Sequence, residues 1–125
     1  PAKYQLDYLH TVSGTGTVPS ATVRIAVEGE EAVQESAWGD GPVDATYKAI
    51  KQATTDTVRV EEYSIRAITS GAEALGEVMV KVSENGHQAT GRGVSTDIIE
   101  ASAKAFLDAL NRLAIWQEKE RDQTV

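Results

Sequence analysis

Apolar and polar positions alternate with a period of two along most of the chain and switch to a helical period twice. Val23, Ile25 and Val27 alternate with Thr22, Arg24, Ala26 and Glu28, the pattern of a strand that buries one face. Before it, Tyr4, Leu6, Tyr8 and His10 alternate with Gln5, Asp7 and Leu9, which predicts an earlier strand with those four residues on one face. Thr17-Val18-Pro19-Ser20 interrupts the two, Gly29-Glu30-Glu31 reads as a hairpin turn, and Ala32 to Trp38 returns as a third strand. A helix is predicted from Gly41-Pro42, where proline suits the first helical position because its missing N–H has no intrahelical partner to lose. Val43, Tyr47 and Ile50 then fall at i, i+4 and i+7, one apolar stripe.

The second half repeats the plan. Val58, Val60, Tyr63 and Ile65 run into Ser70-Gly71, as Tyr4 to Thr11 runs into Ser13-Gly14. Val78, Val80 and Val82 alternate with Glu77, Met79 and Lys81, and Asn85-Gly86 after Glu84 is a strong hairpin signal. His87 to Gly91 returns as a strand. A long helix is expected from about Thr96 to Gln117, with Ile99, Ala103, Phe106, Leu110 and Leu113 as its buried stripe and Ser95 or Thr96 as its cap. Val43 to Ile50 matches Ile99 to Phe106 in pattern, with a four-residue insertion, Val94 to Asp97, expected ahead of the second helix. The prediction is an α+β fold of duplicated βββα units related by a pseudo-twofold. The domain is placed at residues 1–117, unit one at about 3–54 and unit two at about 57–117. The polar tail, 118–125, is expected to fray.

A length of 125 residues fits one domain with a real core, and 41% hydrophobic with 25% charged residues is a globular composition. A net charge of −7 argues against a nucleic-acid partner, which needs a basic face. No apolar run reaches the roughly 18–20 residues that a membrane span requires, and no signal-peptide pattern opens the chain. The absence of cysteine fits a cytoplasmic location. Beginning at Pro1, the chain reads as a domain excised from a longer protein.

Catalytic chemistry is not legible. His10 and His87 have no sequence-local partner that would make a metal site, no G-x-S-x-G elbow is present, and Gly14-Thr15-Gly16 lacks the helix and lysine of a phosphate loop. The adjacent acidic pairs Glu30-Glu31 and Glu61-Glu62 read as solvated surface. The conspicuous features are two glycine-punctuated stretches, Gly39 to Ala45 and Gly91 to Asp97, each following a strand and opening a helix. Such a turn presents free backbone N–H groups at a helix N-terminus, where an anion is favoured. Glycine and proline also serve tight connections for packing alone. The repetition favours a sensor for a small anionic ligand over an enzyme.

Gly39-Asp40-Gly41-Pro42-Val43-Asp44-Ala45 with Tyr47-Lys48-Ala49-Ile50 resembles the G-x-G-P-[VL]-x-A signature of the regulatory domain at the C-terminus of 2-isopropylmalate synthases. Tyr4-Gln5-Leu6, Ser20-Ala21-Thr22-Val23, Tyr63-Ser64-Ile65-Arg66-Ala67, Gly76-Glu77-Val78 and the run Gly91 to Ala103 agree, so the likeness covers roughly Tyr4 to Leu113. The resemblance implies a duplicated βββα domain that forms a homodimer and binds L-leucine as a feedback inhibitor. It also implies a separate catalytic TIM barrel as partner, condensing acetyl-CoA with 2-oxoisovalerate. The divalent metal belongs to that barrel and no cofactor to this domain. Carried over by motif, the leucine pocket comprises Gly39, Asp40, Gly41 and Val43 from the first turn. Val60, Tyr63 and Ala67 come from the strand pattern, Ala74 from the following loop, and Val94 or Ile98 from the second turn. Ala45 is a further candidate near the bound side chain, and Asp40 and Asp97 are candidates for the α-ammonium. The alternatives are an isoleucine-sensing domain, as in citramalate synthases, and a dimerisation module without ligand.

Overall fold

The computed structural model describes residues 2–68 and 74–123. Its elements are β1 Tyr4–Val12, β2 Ser20–Val27, β3 Val33–Trp38, α1 Pro42–Ala53, β4 Arg59–Ala67, β5 Gly76–Glu84, β6 His87–Ser95 and α2 Ile98–Gln123. The fold is α+β with two βββα units in succession. β1-β2-β3 and β4-β5-β6 form two separate antiparallel sheets. Both hairpins sit where the turn residues point. Gly29 adopts φ +78° and Glu30 donates its N–H to the Val27 carbonyl, while Asn85 and Gly86 both take positive φ, as a tight two-residue turn demands. Ser70-Gly71, read as the end of the β4 segment, lies outside the described residues.

The two helices share the layer between the sheets. α1 packs on β2 and β3, α2 packs on β5 and β6 and also reaches β1, and the helices touch each other. Between Ala101 and Ala114, α2 leaves only Lys104 and Arg112 exposed, with Asp108 and Asn111 half-buried. A helix enclosed on nearly all sides needs small or apolar residues around its whole circumference, and the alanines with Phe106, Leu107, Leu110 and Leu113 supply them. Val23 and Ile25 face this layer from one sheet, and Val78, Val80 and Val82 from the other, all fully buried. Asn111 ties β1 to α2 by accepting the Tyr4 N–H at 2.8 Å and donating to its carbonyl at 2.9 Å.

The edge strands carry matched irregularities. β1 bulges between Leu6 and Tyr8, and β4 between Val60 and Glu62. A bulge inserts one residue and reverses the alternation beyond it. Leu6 and Leu9 therefore pair with the buried Ile25 and Val23, whereas Tyr8 and His10 turn to the outer face and stack at 6.4 Å. This corrects the single face expected for Tyr4, Leu6, Tyr8 and His10. The same device puts Val60, Tyr63 and Ile65 opposite Val82, Val80 and Val78.

Three further expectations change. Gly91-Arg92-Gly93 is not a turn, because β6 continues to Ser95 and pairs with β5 as far as Gly76. A Cβ on Gly91 would collide with the Ala105 carbonyl and the Ala109 amide, and one on Gly93 with the Ala101 carbonyl and, at 2.7 Å, the Ala105 amide. These glycines let α2 lie directly on the sheet. Nor is there an insertion before α2. Buried Ala37 and Gly93 each lie six residues ahead of Val43 and Ile99, and Thr46 and Ser102, both fully buried, each donate back to the carbonyl four residues earlier at 2.7 Å. Gly41 and Asp97 are thus equivalent positions. Finally, α2 runs to Gln123 instead of ending at Gln117. The last described turns of α2 are held by Gln117, which donates to Glu84 at 2.5 Å, and by His87, which pairs with Glu120 at 2.9 Å and stacks on Trp116 at 6.0 Å.

Candidate functional site

The first glycine turn joins β3 to α1. Gly39 donates its N–H to the Pro19 carbonyl at 3.0 Å, and a Cβ there would run into the Asp44 carboxylate and lie 2.8 Å from the Ala45 amide. Gly41 is the N-cap of α1, with extended backbone at φ −163°, no side-chain cap and open space where a Cβ would stand. Bare glycine at that position leaves the helix N-terminus uncovered. Asp44 Oδ2 accepts the Asp40 N–H at 2.9 Å and pairs with Lys48 at 3.1 Å. The Asp40 N–H, and Lys48 after it, hold the Asp44 carboxyl below its ordinary value. The Asp40 side chain itself is exposed.

The second turn is built differently. Asp97 Oδ1 accepts the Ile99 N–H at 2.8 Å and the Glu100 N–H at 3.4 Å, so the cap is Asp97 and not Ser95 or Thr96. Ser95 Oγ instead accepts the Asp97 N–H and donates to Glu100, both at 3.1 Å. The two turns are therefore not twin anion sites: the N-terminus of α2 already holds a carboxylate. Asp97 also lines a groove of about 350 Å³ with Leu6, Leu9, Ile99 and Glu100.

β4 supplies the apolar wall. Val60 and Tyr63 are each 38% exposed and Ile65 49%, although all three lie on the sheet face whose β5 neighbours are fully buried. Among the described residues, the backbone of this edge strand neighbours β5 alone. Tyr63 bridges to the helix layer, its ring 6.0 Å edge-on from Tyr47 and its hydroxyl 3.0 Å from Ser102 Oγ. Tyr47 in turn meets Phe106 at 4.8 Å. Val43 stands one turn before Tyr47 on the same side of α1.

The remaining candidates separate cleanly. Ala67 pairs with Gly76, over which Ile98 packs so closely that a Cβ would lie 2.6 Å from its Cδ1, so Ile98 and Ala67 belong to one neighbourhood. Val94 pairs with Glu77 on the outer face of the sheet, away from Tyr63. Glu77 is sheltered there between Arg92 and Arg66, the latter at 2.9 Å, and these partners hold its carboxyl below the usual value. Ala45 is fully buried core. Ala74 is exposed at the foot of the β4–β5 connection, next to Leu75, whose carbonyl accepts the Ile68 N–H at 3.0 Å. Sequence reasoning did not name Tyr47, Ile65 or Ser102 among the candidates, although Tyr47 and Ser102 stand against Tyr63 and Ile65 shares its sheet face. The available signal was a small hydroxyl residue at the same helical position in both units, Thr46 and Ser102. Among the described residues, no three His, Cys, Asp or Glu side chains are grouped to hold a metal, and no helix is long and apolar enough to cross a membrane.

The bare Gly41 cap of α1 and the half-exposed apolar row on β4 are the features of the described residues that the fold leaves open. The profile of the LeuA allosteric (dimerisation) domain matches residues 1–114. Among curated relatives, the chain is 54% identical to the 2-isopropylmalate synthase of Carboxydothermus hydrogenoformans over 114 residues, covering 90% of this chain and 22% of that protein. It is 53% identical over 113 residues to the enzyme of the same name from Heliobacterium modesticaldum, with coverage of 90% and 22%. For that of Pyrococcus furiosus the identity is 48% over 112 residues, with coverage of 89% and 22%. The chain belongs to the LeuA allosteric (dimerisation) domain family. It spans 22% of the length of these relatives, and residues 115–123 of α2 extend past the family match.

Proposed function

We propose that the chain is the effector-binding and dimerising part of a cytoplasmic 2-isopropylmalate synthase, and that its effector is L-leucine acting as a feedback inhibitor. The observation that carries this reading is the pairing of the bare Gly41 cap with the exposed row Val60, Tyr63 and Ile65. Free N–H groups at the start of α1 suit an α-carboxylate. The isobutyl group suits a wall of Val43, Val60, Tyr63, Ala67 and Ile98, with each buried methylene contributing about 0.8 kcal/mol. The Asp40 carboxylate and the second oxygen of Asp97 are the candidate partners of the α-ammonium. On this reading the chain binds effector and turns nothing over. The condensation of acetyl-CoA with 2-oxoisovalerate belongs to a metal-dependent barrel elsewhere in the protein. Occupancy biases that barrel's equilibrium with a coupling of about 1–3 kcal/mol, ordinary for such regulation.

Thermal unfolding with leucine, isoleucine, valine and 2-oxoisovalerate tests the ligand, because binding to the native state raises the midpoint by mass action. Selective stabilisation by leucine is expected. Greater stabilisation by isoleucine would reassign the effector, and no response to any of the four would leave dimerisation alone. Gly41→Asp places a carboxylate at the uncovered cap, in open space, and is expected to abolish leucine binding in calorimetry. Normal binding by that variant would show that the pocket lies elsewhere.

A further inference from the structure

One hydroxyl pair fastens the exposed strand β4 to the helix layer. Ser102 is fully buried and donates its proton to the Ile98 carbonyl at 2.7 Å, which leaves both lone pairs of its oxygen to accept. Tyr63, whose hydroxyl lies 3.0 Å away, is therefore the donor of that contact. Ser102 has a fixed position, in the second turn of a helix whose start is capped by Asp97. Tyr63 does not, since it is 38% exposed on a strand whose backbone neighbours β5 alone among the described residues. Its ring can turn about two bonds, and the Ser102 oxygen together with the ring of Tyr47, 6.0 Å away, sets where it points.

The duplication shows that the fold does not require this pair. Leu9 follows the bulge of β1 as Tyr63 follows that of β4, and the two residues lie opposite the fully buried Val23 and Val80. On the helices Thr46 matches Ser102, and each returns its hydroxyl proton to the carbonyl four residues earlier at 2.7 Å. Unit one thus carries an aliphatic side chain where unit two carries a phenol, and its strands and helix form all the same. We infer that Ser102 is a positioning residue for the effector site: its oxygen holds the Tyr63 ring in one orientation, and so sets how well the apolar wall tells one branched side chain from another. The inference rests on the effector reading above, which places the ligand against Tyr63. A wall held by a hydrogen bond behind it can discriminate isomers that differ in the place of one methyl group, whereas a ring free to turn accommodates either. Ser102 acts through Tyr63 and needs no contact with the ligand.

Calorimetry with leucine and with isoleucine, together with thermal unfolding, tests this in the purified protein, Ser102→Ala, Tyr63→Phe and the double variant. Either single change is expected to lower leucine affinity about fivefold, the worth of one hydrogen bond. Isoleucine affinity is expected to fall less, so that the ratio between the two shrinks. Adding Tyr63→Phe to Ser102→Ala is expected to change leucine affinity by less than about twofold, since both act through the same contact. A Ser102→Ala protein that melts lower but keeps the wild type's leucine affinity and ratio would overturn the inference, because Ser102 would then serve packing alone. So would a fivefold loss from Tyr63→Phe that persists without Ser102, which would mean that the phenol meets the ligand directly. Tyr63→Phe changes only a partly exposed hydroxyl and is expected to fold whatever happens at Ser102, and unchanged leucine affinity in that variant would be equally decisive against the inference. A wild-type protein that gives no leucine heat would instead overturn the effector reading, and the positioning role with it.

Discussion

Gly93 carries no side chain because α2 leaves no room for one, whereas Gly41 carries none and has room to spare. Gly93→Ala should therefore cost about 1–3 kcal/mol in denaturant unfolding, the range for forcing atoms into a packed interface. Gly41→Ala should change stability by less than about 1 kcal/mol, since φ −163° is open to any residue. The two glycines look alike in sequence, and that is why Gly91 and Gly93 read as a turn. Glycine serves both a bend and a close approach, and its neighbours decide which. The deciding neighbours were eight or more residues away: Ala101, Ala105 and Ala109, one small residue per turn of α2, form the surface that rests on β6. The regular stretches were plain by contrast. Val23 and Ile25, and Val78, Val80 and Val82, alternate without a break and are the buried positions.

Among the elements, the two helices begin in different ways. The Asp97 side chain satisfies N–H groups of α2 that the Gly41 cap leaves uncovered in α1. Asp97→Ala should cost about 1 kcal/mol in the same unfolding measurement, the usual loss for an N-cap. An equal stability of variant and parent would mean that Ser95 takes over the capping. The strands show what patterning misses. The bulges in β1 and β4 each add one residue that no composition marks, so Tyr8 and His10 face outward against a simple period of two. The spacing of three between Leu6 and Leu9, and again between Val60 and Tyr63, was the trace they left. The last turns of α2 escaped because Glu118 to Gln123 are polar. They are held by His87, which is distant in sequence.

For the whole molecule, several carboxylates work as fasteners. Asp44, Glu77, Glu84 and Glu100 all have their acid forms disfavoured relative to the free side chain. Burial pushes Glu84 up, but hydrogen bonds from Thr55, Thr57 and Gln117 outweigh it, and this one carboxylate ties the linker between the units to β5 and α2. A folded-state value below the unfolded one means stability that is present above the ordinary value and is lost as pH falls through the folded value. The domain should thus hold its melting temperature down to about pH 4.5, the ordinary glutamate value, and lose it below. Glu84→Gln should lower the plateau and flatten the acid limb. The duplication of a βββα unit was legible from the repeated pattern. The site was legible only in part. Motif transfer named Gly41, Tyr63 and Ile98 as candidates, and the structure places them at a bare helix cap, on the exposed edge strand and over Gly76. Tyr47 and Ser102 gain their meaning from a contact between units, which no local pattern encodes.

The carboxylate of Asp97 can be viewed as a tethered surrogate, a permanent anion seated on one of the two helix starts that the duplication created. Two units do not then make two equal receptors. One start is plugged from within, and on the effector reading proposed above the other is left for a molecule from outside. The stoichiometry follows: calorimetric titration with leucine should saturate at one molecule per chain, hence two per dimer, with a single class of site. A second equivalent per chain would mean that the plug can be displaced.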